Sequence, residues 1–254
     1  MKRIIIIAAV ILAAVISISA YQNNPRAILS KLDFVKLENQ PKQFTYKVYF
    51  LGILPVGKAV LADNGLVKFE GRDLYLLSAK AHAEEFISKL YPFSARIDSY
   101  LELRDFLPVI FSQKLKTKDE EIVKEARYDQ ANNIMEIAGQ KRTILPQTYE
   151  PLSALYKLRK LDFDKTANFD LNINTNQKNY AFTGNITKED ILLKGNAIKA
   201  FKLKCKIFRR DKNPYHQSQV EFVLLDNKQR TPIFIKVFAS GALITVRLIE
   251  QNAE

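Results

Sequence analysis

The sequence predicts an all-β or β-dominant domain, built as a large curved, mostly antiparallel sheet or open barrel behind an N-terminal leader helix. Three observations predict it. Apolar and polar residues alternate with period two over many strand-length segments; Pro, Gly, Asn and Asp punctuate the gaps; and helical spacing is rare in between.

The chain opens with Met1, Lys2 and Arg3, then an almost unbroken apolar run from Ile4 to Ile16, followed by Ser17-Ile18-Ser19-Ala20. Positive charge, apolar stretch and small residues arrive in the order of a secretory signal peptide. Cleavage after Ser19 places Ser17 and Ser19 at the two critical positions, whereas cleavage after Ala20 puts the bulky Ile18 three residues upstream. The run is also just long enough to stay as an uncleaved anchor. Residues 1–20 are therefore read as a signal peptide or membrane anchor, residues 21–42 as a linker or short helix, and residues 43–250 as a single β domain. In either case Lys2 and Arg3 stay cytoplasmic and the rest is exported to the periplasm or cell envelope, where the leader alone can hold it at the inner membrane.

From Gln43 the pattern switches to period two. Phe44, Tyr46, Val48 and Phe50 alternate with Thr45, Lys47 and Tyr49, which predicts a half-buried strand. Gly52, Pro55 and Gly57 predict a longer turn before a second strand over 58–62. Gly57 and Gly241 each sit beside a strand, where a turn or bulge needs a residue free of Cβ. Segments 73–83, 94–103, 109–118 and 122–129 repeat the pattern, with Asp119-Glu120-Glu121 as a solvated hairpin turn and Asn132-Asn133 as a tight turn before 134–137. After Pro146, residues Leu152, Leu155, Tyr156, Leu158, Arg159 and Leu161 fall at helical spacing. Pro151 suits the first turn, so one short helix is predicted near 151–161. Strands return over 169–173, 179–183, 197–208, 219–225, 232–238 and 242–249.

Three blocks recur together in this order. The first is Phe44-Thr45-Tyr46-Lys47-Val48-Tyr49-Phe50 running into Ile53-Leu54-Pro55-Val56-Gly57-Lys58-Ala59. The second is Pro151-Leu152-Ser153-Ala154-Leu155-Tyr156-Lys157-Leu158-Arg159, and the third is Leu225-Asp226-Asn227-Lys228-Gln229-Arg230-Thr231-Pro232-Ile233 followed by Gly241. Together they resemble the family of exported bacterial proteins known as domain of unknown function 3108. The resemblance spans nearly the whole chain after the leader and implies a secreted β-sheet domain of unsettled biochemical role. It supplies no catalytic residues to carry over.

Composition narrows the partners. The formal charge of +12 falls to +10 when Lys2 and Arg3 leave with the leader. A basic exported domain either meets anionic lipid, glycolipid or polysaccharide or simply carries a solvated basic surface, and export argues against nucleic acid. Cys205 is the only cysteine, so no intrachain disulfide forms and an apolar core must hold the domain.

Individual residues point to no catalytic or metal chemistry and to no cofactor. His82 and His216 lie far apart, without a second His, Cys or spaced carboxylate. His82, ending an apolar-rich strand, is expected to be partly buried or a strand-end residue. Cys205 falls in phase with Phe201, Leu203 and Ile207, which makes it a core filler. Ser153 lacks the Gly-x-Ser-x-Gly turn of a hydrolase and suits a cap or packing position. The candidate contacts are Lys202, Lys204 and Lys206, aligned as a stripe on one strand face, and Tyr156 with Arg159, three apart on one helix face. The stripe is read either as a grip for anionic groups or as a solvated face. The Tyr156 and Arg159 pair either fixes the helix to the sheet or lines an opening.

Two functions follow as expectations. One is a non-enzymatic binding module that shelters a lipid or glycolipid in a concave sheet, which requires an apolar cavity inside the curve. The other is a membrane-anchored structural or assembly factor that binds an envelope protein or polysaccharide through sheet edges.

Overall fold

The computed structural model describes residues 42–175, 177–193, 195–211, 217–239 and 241–252. The leader, the linker ahead of Lys42 and His216 lie outside them.

Strands form wherever the period-two pattern predicts them. They are β1 (Lys42–Phe50), β2 (Leu54–Phe69), β3 (Arg72–Ala83), β4 (Ser94–Leu101), β5 (Pro108–Lys116), β6 (Glu121–Asp129), β7 (Ile134–Ile137), β8 (Gln140–Thr143), β9 (Thr148–Tyr149), β10 (Asn168–Thr175), β11 (Lys178–Leu193), β12 (Asn196–Arg209), β13 (Ser218–Leu225), β14 (Pro232–Ala239) and β15 (Ala242–Asn252). Helix α1 (Glu85–Leu90) follows β3, and helix α2 (Pro151–Arg159) follows β9.

All fifteen strands belong to one sheet. β1 to β8 form one meander and β9 to β15 a second, and the two join through an antiparallel seam in which β1 pairs with β15, Val48 opposite Val246. The one parallel pairing is β9 with β10. Laid flat, fifteen strands would span roughly 65–70 Å. Instead, inward residues from both meanders share one core: Tyr46, Ile97, Phe111 and Met135 from the first, and Ile173, Leu203, Leu224 and Ile244 from the second. The sheet therefore curls around its own apolar face into an open barrel. Side chains link its two edges, with Arg142 Nε of β8 donating to Gln177 Oε1 beyond β10 at 3.2 Å.

Helix α2 crosses the inside, and its start is fixed by local chemistry. Pro151 occupies the first turn, and the buried Glu150 carboxylate accepts from the amides of Leu152 (2.7 Å) and Ser153 (2.5 Å). Ser153 Oγ in turn accepts from the Glu150 amide, completing a reciprocal cap. Ser99 Oγ on β4 donates to the same carboxylate at 2.7 Å, which ties the helix to the first meander. Burial pushes the Glu150 pKa up, against the pull of these hydrogen bonds.

The structure corrects several expectations. A second helix, α1, occupies the gap before β4 and buries none of its side chains; its six residues are too few to establish a helical period in sequence. β2 begins at Leu54 and runs sixteen residues, in place of a long turn and a five-residue strand. Bulges at Pro55 to Gly57 and at Asp63 to Gly65 absorb the turn-forming residues without ending the strand. Gly57 is needed there, because a Cβ would sit 2.7 Å from the His82 carbonyl oxygen. Gly241 has φ +77° in the turn between β14 and β15. β11 continues ten residues past the predicted end, and beyond Asn185 it pairs with β12 alone. The short edge strands β8 and β9 carry no alternating apolar signal, β8 being exposed at all four positions.

Candidate functional site

The interior of the barrel is incompletely filled. Between α2 and the inner wall of the second meander lies a cavity lined by Pro151, Leu152, Ala154 and Leu155 of the helix segment, facing Phe182, Val220, Phe222, Val237 and Val246 among others. Every residue that lines it is apolar. The centre of a water-sized sphere reaches about 60 Å³, within about 650 Å³ of atom-free space that includes its junction with solvent. One water needs roughly 10–15 Å³ on that measure and two to four polar partners. Water there would find no hydrogen-bonding side chain, so the wall suits a hydrocarbon.

A second, smaller cavity of about 20 Å³ shares Leu61, Leu152 and Leu155 with the first and is partly polar. Asp63, Tyr156 and Arg159 line it. Tyr75 Oη donates to the Asp63 carboxylate, and Tyr75, Phe106 and Tyr156 pack as an aromatic cluster with centroids 5.0–6.0 Å apart. Burial pushes the Tyr156 phenol up to about 12, so it remains a neutral hydrogen-bonding group. Arg159 donates to the Gln229 carbonyl at 2.8 and 3.2 Å, with its guanidinium 5.3 Å from the Phe44 ring. Lys160 lies 5.0 Å from the Tyr156 ring; burial first, then the charges of Arg159, Lys42 and Lys228, push its pKa down, with Asp63 opposing. Around Lys160, the cations Arg159, Lys42 and Lys228 thus outnumber the Asp63 carboxylate. Tyr46, buried on β1 within reach of the Arg159 charge, has a hydroxyl with no hydrogen-bond partner among the described residues.

The structure brings two of the five candidate contacts to this site. Tyr156 and Arg159 both pack the helix against the sheet and line the smaller cavity. Lys202, Lys204 and Lys206 do align on β12, but on its outer face, while Phe201, Leu203, Cys205 and Ile207 point into the core. Lys202 pairs with Glu221 at 3.6 Å, and Glu221 also stands opposite Lys204, so the stripe is not an uncompensated row of cations. Cys205 is buried, and burial raises its thiol pKa, leaving it a neutral core filler. His82 is the strand-end residue of the two alternatives, next to last on β3, and it is exposed on the outer face opposite Lys58 because its phase follows Lys80 and not the inward Ala79 and Ala81. Ser153 is consumed by the helix cap. Among the described residues, no three His, Cys, Asp or Glu side chains gather as a metal site, and no helix is long and apolar enough to cross a membrane.

Asp63 and Tyr75 were not singled out by sequence. Asp63 lies in Ala62-Asp63-Asn64-Gly65, which has the composition of a turn; because β2 runs on through it, Asp63 keeps the inward phase of Ala59 and Leu61 and reaches Tyr75. The inward apolar positions of β13 to β15 were legible, but the gap between them and α2 depends on how far the helix stands off.

The fold and its interior define a β-barrel-like domain with an apolar cavity behind a cationic rim. The chain belongs to the protein family of unknown function DUF3108, whose model matches residues 45–246. No curated protein matches it. It is similar to a β-barrel-like protein of the domain of unknown function DUF1849 from Brucella abortus, at 11% identity over 84% of this chain and 97% of that one, with a TM-score of 0.58. That likeness shows a shared fold. A Bacteroides fragilis protein with a YmcC-like fold overlaps more loosely, with a TM-score of 0.32 at 8% identity over 87% of this chain and 99% of that one, and supports no further comparison.

Proposed function

We propose that this chain is an exported, envelope-associated binding module without catalytic activity, which shelters the acyl chain of an anionic lipid or glycolipid inside the barrel. The observation that carries the reading is the cavity between α2 and β10–β15, lined by apolar side chains. Hydrocarbon placed there would regain the dispersion contacts that an empty cavity forfeits. The head group would stay at the polar end of the helix, where Lys42, Arg159, Lys160 and Lys228 outnumber Asp63. The leader supports delivery to a compartment in which such lipids are the surroundings.

Native mass spectrometry of the purified chain tests this. The wild type is expected to carry a lipid-sized adduct and to melt at higher temperature when phosphatidylglycerol is added, as binding to the folded state requires. Val220→Phe, which fills the cavity, is expected to remain folded and lose the adduct. No adduct together with no melting shift in the wild type would sink the proposal, as would an undiminished adduct in folded Val220→Phe protein.

A further inference from the structure

One end of the barrel exposes apolar side chains that the cavity does not use. The turn between β1 and β2 presents Leu51, Ile53 and Leu54, with Ile53 81% exposed. Its neighbours extend the surface. The Leu51 amide donates to the Leu243 carbonyl, Leu243 stands opposite Phe238, and Phe238 is itself exposed. On the other side, the Glu84 amide donates to the Val56 carbonyl, which sets α1 beside the start of β2. Phe86 and Leu90, four apart and so on one face of α1, are 73% and 65% exposed. A six-residue helix that buries nothing yet shows Phe and Leu to water gains little from folding for its own sake.

Positive charge stands directly behind this tip. In the pairing register Arg247 lies opposite Lys47, Lys47 opposite Lys58, and Lys58 opposite His82, so these basic side chains form one row across the outer face. Like charges placed directly opposite destabilise a sheet. The row has little local compensation: Lys47 approaches Glu84 at 3.9 Å, and Arg247 turns to the Gly52 carbonyl and the Tyr49 ring. Lys236 and Lys89 add exposed cations nearby. The strands that carry the tip, β1, β2, β14 and β15, contain only Asp63 and Glu250 as carboxylates, and both sit toward the opposite end, so the carboxylates at the tip are Glu84 and Glu85 at the start of α1, fewer than the cations around them.

We infer that this end of the barrel docks on an anionic lipid bilayer, with the β1–β2 turn and α1 entering the interface and the Arg247–Lys47–Lys58 row against the head groups. Apolar side chains ahead of a band of cations are what an interfacial, non-spanning contact with anionic lipid needs. The inference stands apart from the cavity: a barrel with a filled interior would dock in the same way.

The chain has no tryptophan, so a single introduced one reports its own surroundings. Phe86→Trp, Ile53→Trp and, at the exposed hairpin of the opposite end, Leu192→Trp are each made in the full chain and mixed with vesicles of phosphatidylglycerol and phosphatidylethanolamine. The leader can tether all three alike, so only the position of the reporter distinguishes them. The two tip reporters are expected to shift to the blue and resist acrylamide quenching, and Leu192→Trp to do neither. Phosphatidylcholine vesicles, high salt, or Lys47→Glu with Lys58→Glu are expected to reduce the shift. No shift at the tip, an equal shift at Leu192→Trp, or the same protection without vesicles through self-association would each overturn the inference. Lipid carried in the cavity would survive any of these results.

Discussion

The two meanders are built by the same rule and packed differently. In the first, the inner face meets α2 through directional contacts, Ser99 with Glu150 and the Tyr75 and Phe106 rings with Tyr156, backed by the Tyr75 to Asp63 hydrogen bond within the sheet. In the second, Phe182, Val220, Phe222 and Val237 face the same helix across an apolar gap. The difference teaches that alternation decides which side chains point inward, while the anchoring of one helix decides whether they are filled against. Held toward β4 by a buried carboxylate, α2 closes one half and leaves the other open.

That contrast is sharpest at the anchor. Glu150→Ala removes the helix cap and leaves the Ser99 hydroxyl and two amides without their acceptor, so a loss of about 2–4 kcal/mol is expected in urea unfolding. Lipid uptake should fall with it, because the helix is the wall of both cavities. A loss below about 0.5 kcal/mol would show that packing alone seats the helix. Enlarging one inward residue in each half comes next. Ala79→Leu in the closed half should cost about 1–3 kcal/mol by overpacking, whereas Val220→Phe in the open half should cost less than about 1 kcal/mol. Equal costs would mean that the two halves are equally full. A directional contact within the sheet is worth less than the helix anchor. Tyr75→Phe deletes the hydrogen bond to Asp63 and should cost about 1 kcal/mol in the same assay.

Much of this contrast was half-written in the sequence. Phe44, Tyr46 and Val48, or Leu203, Cys205 and Ile207, declare their inward phase because a strand repeats every two residues, and all six reach the core. The helix was legible from Pro151 and the spacing of Leu152 to Arg159, and the cap role of Ser153 was foreseen without its partner. The Glu150 tie to Ser99, fifty-one residues away, was not legible, since no local pattern encodes a contact across the barrel. The same limit hid Asp63 and Tyr75. It also divided the five candidate contacts: helical spacing put Tyr156 and Arg159 on one helix face without saying which way that face turns, and strand phase put Lys202, Lys204 and Lys206 on one face without saying that Glu221 would sit among them. The exposed face of α1 escaped notice because a two-turn segment gives too few apolar residues to establish a period.

The seam between β1 and β15 has a consequence for how the molecule forms. Gln43 pairs with Asn252 and Phe50 with Ile244, so the first strand of the sheet finds one of its two neighbours only when the last strand exists. Until then its outer edge is unpaired, and the inner wall near Tyr46 and Val48 lacks Ile244 and Val246 to cover it. Contacts this distant along the chain are the slow ones to form. A chain emerging N-terminus first would therefore stay open until its final residues arrived, and the barrel would close late, around whatever already occupied its interior.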